Sequence, residues 1–247
     1  MKIKINFICD INNILRDYIK HINNKNVLHI YFGKNFVINN NIDSCVLKKV
    51  NEGTLQKVID GIKATQYYLN EELEKDLLIE NYEWKICIGQ ENFMFDYPFT
   101  LEDVIFLPYN FIEESNMKFL IKTLFHEYIH VSQRIKPKIW EKHIAENTRD
   151  KYSVNWRKLK QRVPYENLND IIIWNPDTYY DDNYVIEDNK KLYKAYLILD
   201  DNNGFTTKWF ELSEDNFKPI NKSIYKYEHP FEMLAYLLSN CIDKKQI

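Results

Sequence analysis

Residues 119–134 read FLIKTLFHEYIHVSQR and contain the pattern H-E-x-x-H at His126, Glu127 and His130. On a helix, side chains four positions apart project from the same face. Two imidazoles with this spacing can bind one tetrahedral zinc ion, and the glutamate beside the first can take a proton from a water on that ion. The stretch therefore predicts half of a catalytic zinc site, with one Zn²⁺ per chain.

The apolar residues around the motif recur at the spacing of a helix, which predicts a stripe that faces the core. This stripe consists of Leu120, Leu124, Tyr128, Val131 and Ile135. Residues 113–116, EESN, place capping side chains and negative charge in front of the helix. A buried helix with two hydrogen-bonded histidines and no metal is the alternative, but its buried polar groups would need other partners.

The composition indicates a folded protein with a substantial core. The chain has 247 residues, of which 45% are hydrophobic and 15% aromatic. The net charge of −3, with acidic and basic residues interspersed, gives no basic stripe, so nucleic acid is not expected as a partner. We expect an accessory region over residues 1–52 and a catalytic domain over residues 53–247, or else a single domain.

No stretch of the sequence has the character of a membrane span or a signal peptide. The N-terminal apolar run is short and is interrupted by Asp10, and no run of 18 apolar residues occurs. The four cysteines form no C-x-x-C pair and are expected in the core as small apolar side chains. We therefore expect a soluble intracellular protein. Its frequent Asn, Ile, Lys and Tyr are typical of an AT-rich coding genome, as in some viruses, parasites and bacteria.

Hydrophobic periodicity predicts an α+β fold. Strands are predicted at residues 3–9, 27–32, 84–88, 104–107, from 171 onward, 193–199 and 205–212, with helices at residues 11–22, 53–75, 140–147 and 229–240. Turns are predicted at residues 39–43 and 200–204, the latter closing a hairpin. The strand at 104–107 is either an exposed edge that aligns an extended peptide or an ordinary core strand.

A catalytic zinc usually has three protein ligands, so the motif needs one more. The candidates are Asp177, His143, Glu228, His229 and Glu232. We favour Glu232, because a helix over residues 230–236 presents it on one side together with the small Ala235, which lets that helix approach the motif closely. Asp177, in an Asn-Pro-Asp turn, and Glu228 stay as alternatives, whereas His143 and His229 are expected to be ordinary residues, with His229 at a helix cap or on the surface.

The motif and the later E-x-x-A pattern of Glu232 and Ala235 resemble the gluzincin-like metallopeptidases. The resemblance covers two short stretches, separated by about a hundred residues. It implies a zincin-like α+β core with a small mixed or antiparallel sheet, an active-site helix and a C-terminal helix that bears a ligand. It also implies a zinc metalloendopeptidase-like hydrolase of peptide or protein substrates, with His126, His130 and Glu232 as ligands and Glu127 as general base.

Peptide hydrolysis also needs a donor for the oxyanion. Tyr225 and Tyr227 are preferred because they precede the ligand helix, and the further candidates are Tyr179, Tyr236 and His229. Arg134 is expected either to orient Glu127 or bind a substrate carboxylate, or to form an ordinary salt bridge.

Two other functions are compatible with the sequence. One is a non-catalytic zincin-fold protein in which zinc is a structural staple, although such a protein has no need for Glu127 as a base. The other is a metal-dependent hydrolase of a non-peptide bond.

Overall fold

The computed structural model describes residues 3–19, 46–47, 49–90, 96–160, 172–173, 175–181, 183–199, 205–213 and 217–245. These residues form an α+β structure with helices and two β-sheets, which confirms the predicted class. The chain divides into two compact units, Met1–Lys136 with Ala235–Ile247 and Pro137–Leu234. The domain boundary expected near residue 52 stays a prediction.

The described residues form six α-helices and ten strands. The helices are α1 (Asn12–Ile19), α2 (Glu52–Glu72), α3 (Tyr109–Glu114), α4 (Met117–Ile135), α5 (Pro137–Tyr152) and α6 (Pro230–Ser239). The strands are β1 (Lys4–Phe7), β2 (Glu83–Gly89), β3 (Phe99–Leu101), β4 (Val104–Pro108), β5 (Trp156–Lys158), β6 (Ile172–Ile173), β7 (Tyr184–Asp188), β8 (Lys191–Leu199), β9 (Phe205–Leu212) and β10 (Phe217–Ile220). Short 3₁₀ helices span Tyr179–Asp181 and Asn240–Lys244. Across the described ranges, no helix combines the length and the apolar character needed to cross a membrane.

The first unit contains a mixed four-stranded sheet in the order β1-β2-β4-β3. Strands β1, β2 and β4 are parallel, and β3 pairs antiparallel with β4. Strand β4 is therefore interior, and all five of its residues are buried. The core-strand alternative for residues 104–107 is confirmed and the exposed-edge alternative is wrong, because Phe99–Leu101 forms the edge strand that covers β4.

Helix α4, which carries the motif, begins where the sequence predicts. The side chain of Asn116 caps it, with Oδ1 accepting a hydrogen bond from the Phe119 N–H at 2.9 Å. Helix α2 packs against α4 at Gly61, where a Cβ atom would lie only 3.1 Å from Cδ1 of Leu124 and 3.2 Å from Cδ2 of Leu120. The missing side chain of Gly61 thus allows the two helices to approach closely.

The core-facing stripe of α4 is confirmed except at its last member. Leu120, Leu124, Tyr128 and Val131 are buried, but Ile135 is 48% exposed. Ile135 is the last residue of the helix, and the chain leaves the core at that point. Helix α5 then starts at Pro137 and runs to Tyr152, well beyond the predicted residues 140–147.

The second unit contains an antiparallel six-stranded sheet in the order β10-β9-β8-β7-β5, with β6 also paired to β8. Strands β8 and β9 pair from Leu192↔Leu212 to Leu199↔Phe205, which confirms the predicted hairpin. Its turn at residues 200–204 lies outside the described residues, as do the strand predicted at 27–32 and the turn at 39–43.

The cysteines follow the predicted burial only in part. Cys87 is buried, Cys241 is half-buried and Cys9 is exposed. Cys45 lies outside the described residues. The prediction of a core position is therefore confirmed for Cys87 and wrong for Cys9.

Candidate metal centre

The two motif histidines point their Nε2 atoms at one another. Their rings are 4.7 Å apart at an interplanar angle of 75°, and the Nε2 atoms of His126 and His130 lie 3.1 Å apart. Tetrahedral coordination with Zn–N bonds of about 2.1 Å separates two nitrogens by about 3.4 Å. The spacing of the two nitrogens is therefore close to that of two ligands on one zinc ion.

Gln133 fixes the orientation of His130. The Nδ1 atom of His130 lies 2.8 Å from Oε1 of Gln133, and both side chains are fully buried. An amide oxygen only accepts, so Nδ1 carries a proton, and in the neutral imidazole Nε2 then keeps its lone pair. Histidine ligands of metals in proteins commonly donate their other N–H group in this way. The sequence contained a signal for this role, since Gln133 lies three residues after His130 on the same helix face.

Helix α6, which carries Glu232, is capped by His229. Nδ1 of His229 accepts from the Phe231 N–H at 3.2 Å, and Nε2 donates to the Asp181 carbonyl at 2.9 Å. The capping role expected of His229 is confirmed, but the side chain is buried and not on the surface. The other weak candidate, His143, lies on α5 with its ring 5.6 Å from that of Trp140.

Asp181, whose carbonyl accepts from the capping His229, also forms an ion pair with Lys158 through its side chain. Lys158 Nζ lies 2.8 Å from Oδ2 of Asp181 and 2.6 Å from Oε1 of Glu141. Burial acts to lower the pKa of Lys158, but the hydrogen bonds to these two carboxylates outweigh it and raise that pKa above its ordinary value. The cap of α6 therefore belongs to a network of polar contacts.

Helix α6 also places Glu232 with the motif histidines. The ring of Tyr236 lies 4.5 Å from the ring of His126, and Glu232 precedes Tyr236 by one helical turn. Ligand atoms of His126, His130 and Glu232 all lie within 4.8 Å of one another. Two imidazoles and one carboxylate suit zinc, so the residues fit the expected ion. Among the described residues, the carboxylate close to both histidines is that of Glu232. The alternative third ligands, Asp177 and Glu228, do not belong to this cluster.

The Asn-Pro-Asp turn contributes a contact that the sequence did not predict. Nδ2 of Asn175 lies 2.8 Å from Oε1 of Glu232 and 3.1 Å from Oε1 of Glu228. Oδ1 of Asn175 accepts from the Asp177 N–H at 2.9 Å, which confirms the turn. No spacing rule connects residue 175 with residue 232, so this contact could not be predicted from the sequence.

Glu127 follows His126 on α4 and is only 3% exposed. The helix is fixed at this point by Tyr128, whose hydroxyl oxygen accepts from the Ile79 N–H at 2.7 Å. Burial raises the pKa of Tyr128 to about 12, so this phenol stays protonated near neutral pH. Glu127 is therefore buried next to a residue, Tyr128, whose hydrogen bond to the Ile79 N–H anchors this part of the helix.

Arg134 binds the backbone of the edge strand. Its Nη2 donates to the Thr100 carbonyl at 2.9 Å, and Nη1 donates to the Glu102 carbonyl at 3.0 Å and to the Thr100 hydroxyl. Glu102 has a positive φ of 53° in the turn that joins β3 to β4. These bonds connect the end of α4 with that hairpin, and the sequence did not predict these contacts. A role for Arg134 towards Glu127 or a substrate stays a prediction.

The structure distinguishes the tyrosine candidates by their surroundings. The rings of Tyr225 and Tyr227 lie 5.9 Å apart, Tyr225 also contacts Trp156, and Tyr227 is buried. Their role as oxyanion donors stays a prediction, and the side chain of Tyr179 lies outside the described residues. Tyr236 is 47% exposed while its ring contacts His126. Tyr236 is therefore partly open to solvent and also contacts His126, one of the three candidate metal ligands.

The resemblance to gluzincin-like metallopeptidases still rests on the H-E-x-x-H and E-x-x-A patterns, and the candidate metal centre rests on the side chains that these patterns place together. Comparisons with models of protein families, with curated proteins and with solved structures give no match for this chain.

Proposed function

We propose that this chain is a zinc-dependent metallopeptidase of the gluzincin type with a zincin-like core. The observation that carries the proposal is the convergence of ligand atoms from His126, His130 and Glu232 within 4.8 Å. The general base that such a reaction needs, Glu127, directly follows the first histidine. Three protein ligands leave one coordination position for water or substrate, which is typical of catalytic zinc.

Each residue has a defined task in the proposed reaction. When bound, a zinc ion supplies Lewis acidity, which makes water a better nucleophile and polarises the scissile carbonyl. Glu127 accepts the proton of the attacking water and delivers it to the nitrogen of the leaving amine as the peptide bond breaks. Gln133 holds His130 in the tautomer whose Nε2 can ligate. Tyr236 donates its hydroxyl proton in a hydrogen bond to the oxyanion that develops on the carbonyl oxygen.

The placement of Glu127 favours catalysis over a structural zinc. Structural zinc sites are usually closed by four protein ligands and require no base. Here the described group offers three ligand residues, and the buried Glu127 directly follows the first of them in the sequence. Hydrolysis of a peptide bond is proposed because of the gluzincin-like patterns, and a non-peptide amide or ester is the alternative that substrate screening distinguishes.

A peptide library tests the proposal directly. We expect the purified full chain to cleave peptides, a zinc chelator to abolish cleavage, and added Zn²⁺ to restore it. Glu127→Gln should bind zinc as the parent does and lose about 10²–10⁴-fold in rate. Glu146→Gln, at an exposed position on α5, is the matched control and should keep the parent's rate. Cleavage that resists the chelator, or an active Glu127→Gln variant, would refute the proposal.

A further inference from the structure

We propose that Asn175 is the positioning residue of the third ligand, and that its side-chain amide holds the Glu232 carboxylate in the orientation that binds metal. This inference rests on the proposed metal centre and extends it. The geometric basis is the 2.8 Å hydrogen bond from Nδ2 of Asn175 to Oε1 of Glu232. A carboxylate that is held through one oxygen can still ligate a metal ion through the other.

The amide of Asn175 is itself fixed in direction. Its Oδ1 accepts from the Asp177 N–H at 2.9 Å, so the oxygen must face the turn and the NH₂ group must face the glutamates. The following residue, Pro176, restricts the backbone of Asn175 to extended conformations. A donor that is locked at both its backbone and its side chain can impose an orientation on a flexible partner.

Glu232 shares the Asn175 amide with a second carboxylate, that of Glu228. The same Nδ2 lies 3.1 Å from Oε1 of Glu228, so one NH₂ group donates to both carboxylates, one proton to each. Two carboxylates that share one donor repel each other, and Glu232 has three side-chain torsions through which to move away. Glu232 is only 5% exposed, so water can replace the amide donor only poorly.

The role of Asn175 is comparable to that of Gln133. Gln133 accepts from His130, and Asn175 donates to Glu232, so two of the three ligands are each oriented by a neutral amide. Partners of this kind are worth about 10–100-fold in metal affinity in other metal sites. Loss of the Asn175 donor should therefore weaken zinc binding without removing any ligand.

Asn175→Ser is the variant of choice. A serine hydroxyl can still accept from the Asp177 N–H in the equivalent turn, but it is too short to reach Glu232, and it adds no charge. Asn147→Ser is the matched control, because Asn147 donates to the His143 carbonyl within α5. The double variant Asn175→Ser/Glu228→Gln tests whether the amide orients Glu232 or only screens the charge of Glu228.

The measurement is the zinc dissociation constant of the intact chain by competition with a chromogenic chelator. The visible spectrum of the Co²⁺ form serves as a second readout of ligand geometry. We expect Asn175→Ser to raise the dissociation constant about 10–100-fold and to alter the Co²⁺ spectrum. Asn147→Ser should stay within about twofold of the parent, and Glu228→Gln should not rescue Asn175→Ser.

A second measurement uses the parent chain alone and needs no variant to fold. In ¹⁵N-labelled protein, zinc titration should shift the side-chain amide signals of Asn175 and leave those of Asn147 in place. Unshifted Asn175 signals, with zinc bound, would overturn the inference.

The remaining outcomes separate this inference from the proposed function. Parent-like zinc affinity in Asn175→Ser, or full rescue by Glu228→Gln, overturns the positioning role alone. Weakened zinc binding in Asn175→Ser, with a parent that cleaves no peptide, supports the positioning role and refutes the peptidase. A parent chain that binds no zinc overturns both.

Discussion

Oε1 of Gln133 accepts a hydrogen bond from Nδ1 of His130 across 2.8 Å, with both side chains fully buried on the motif helix. This bond leaves Nε2 of His130 as the nitrogen that faces Nε2 of His126. The helix thus supplies two of the proposed ligands, the proposed base, and the amide partner of one of those ligands.

Replacing Gln133 should therefore change zinc affinity in a graded way. Gln133→Leu leaves the buried Nδ1–H without an acceptor, and we expect a zinc dissociation constant about 10–100-fold above that of the parent. Gln133→Glu keeps an acceptor and should retain affinity within about threefold of the parent, since carboxylates serve this role in other zinc sites. Chelator competition measures both constants, and equal affinities in Gln133→Leu and the parent would exclude the tautomer role.

Three of the four tyrosine candidates, Tyr225, Tyr227 and Tyr236, can be compared by removing one hydroxyl at a time. We expect Tyr236→Phe to lower kcat about 10–100-fold at unchanged zinc content, because the ring contact with His126 survives and only the oxyanion donor is lost. Tyr225→Phe and Tyr227→Phe are the matched variants. If either of these variants lost more kcat than Tyr236→Phe, the oxyanion donor would be Tyr225 or Tyr227, as the sequence analysis preferred, and not Tyr236.

Arg134 should matter mainly for stability. Arg134→Met removes three hydrogen bonds to the β3–β4 hairpin, and we expect a loss of about 1–3 kcal/mol in the free energy of unfolding. Arg157→Met is the control, because the ion pair of Arg157 with Glu187 is exposed and contributes little. Urea unfolding of the metal-free chain measures both. If Arg134→Met matched the control in stability but lost kcat/KM, Arg134 would act on substrate.

His229 should stabilise the start of α6. His229→Ala removes the N-cap acceptor and the bond to Asp181, and we expect a cost of about 1–3 kcal/mol, together with weaker zinc binding because Glu232 lies in the first turn. His229→Asn supplies a good N-cap and should recover part of the stability. Thermal unfolding of the two variants provides the comparison, and identical melting temperatures would argue against capping by His229.

The motif half of the site was predictable because it is local. The spacing of His126 and His130 fixes their common helix face, and the same rule reaches Gln133. Glu232 could be predicted from the E-x-x-A pattern on a second helix. Asn175 was not, because its partner Glu232 is 57 residues away and hydrogen bonds of that range follow from the tertiary fold.

The fold shows the same division between local and long-range information. The hairpin of β8 and β9 follows from alternation and a turn, and residues 205–212 form a strand as predicted. Strand β3 was missed because three residues are too few to show a period. Without β3, the neighbours of residues 104–107 could not be assigned, since the order of strands depends on pairing between distant segments.

The metal content of the purified full chain tests the central claim most directly. After zinc is supplied and excess removed, elemental analysis should give one zinc per chain for the parent and close to none for a His126→Ala/His130→Ala variant that still folds. A parent chain without zinc, or the same zinc content in the variant that lacks both histidines, would contradict the proposed metal centre.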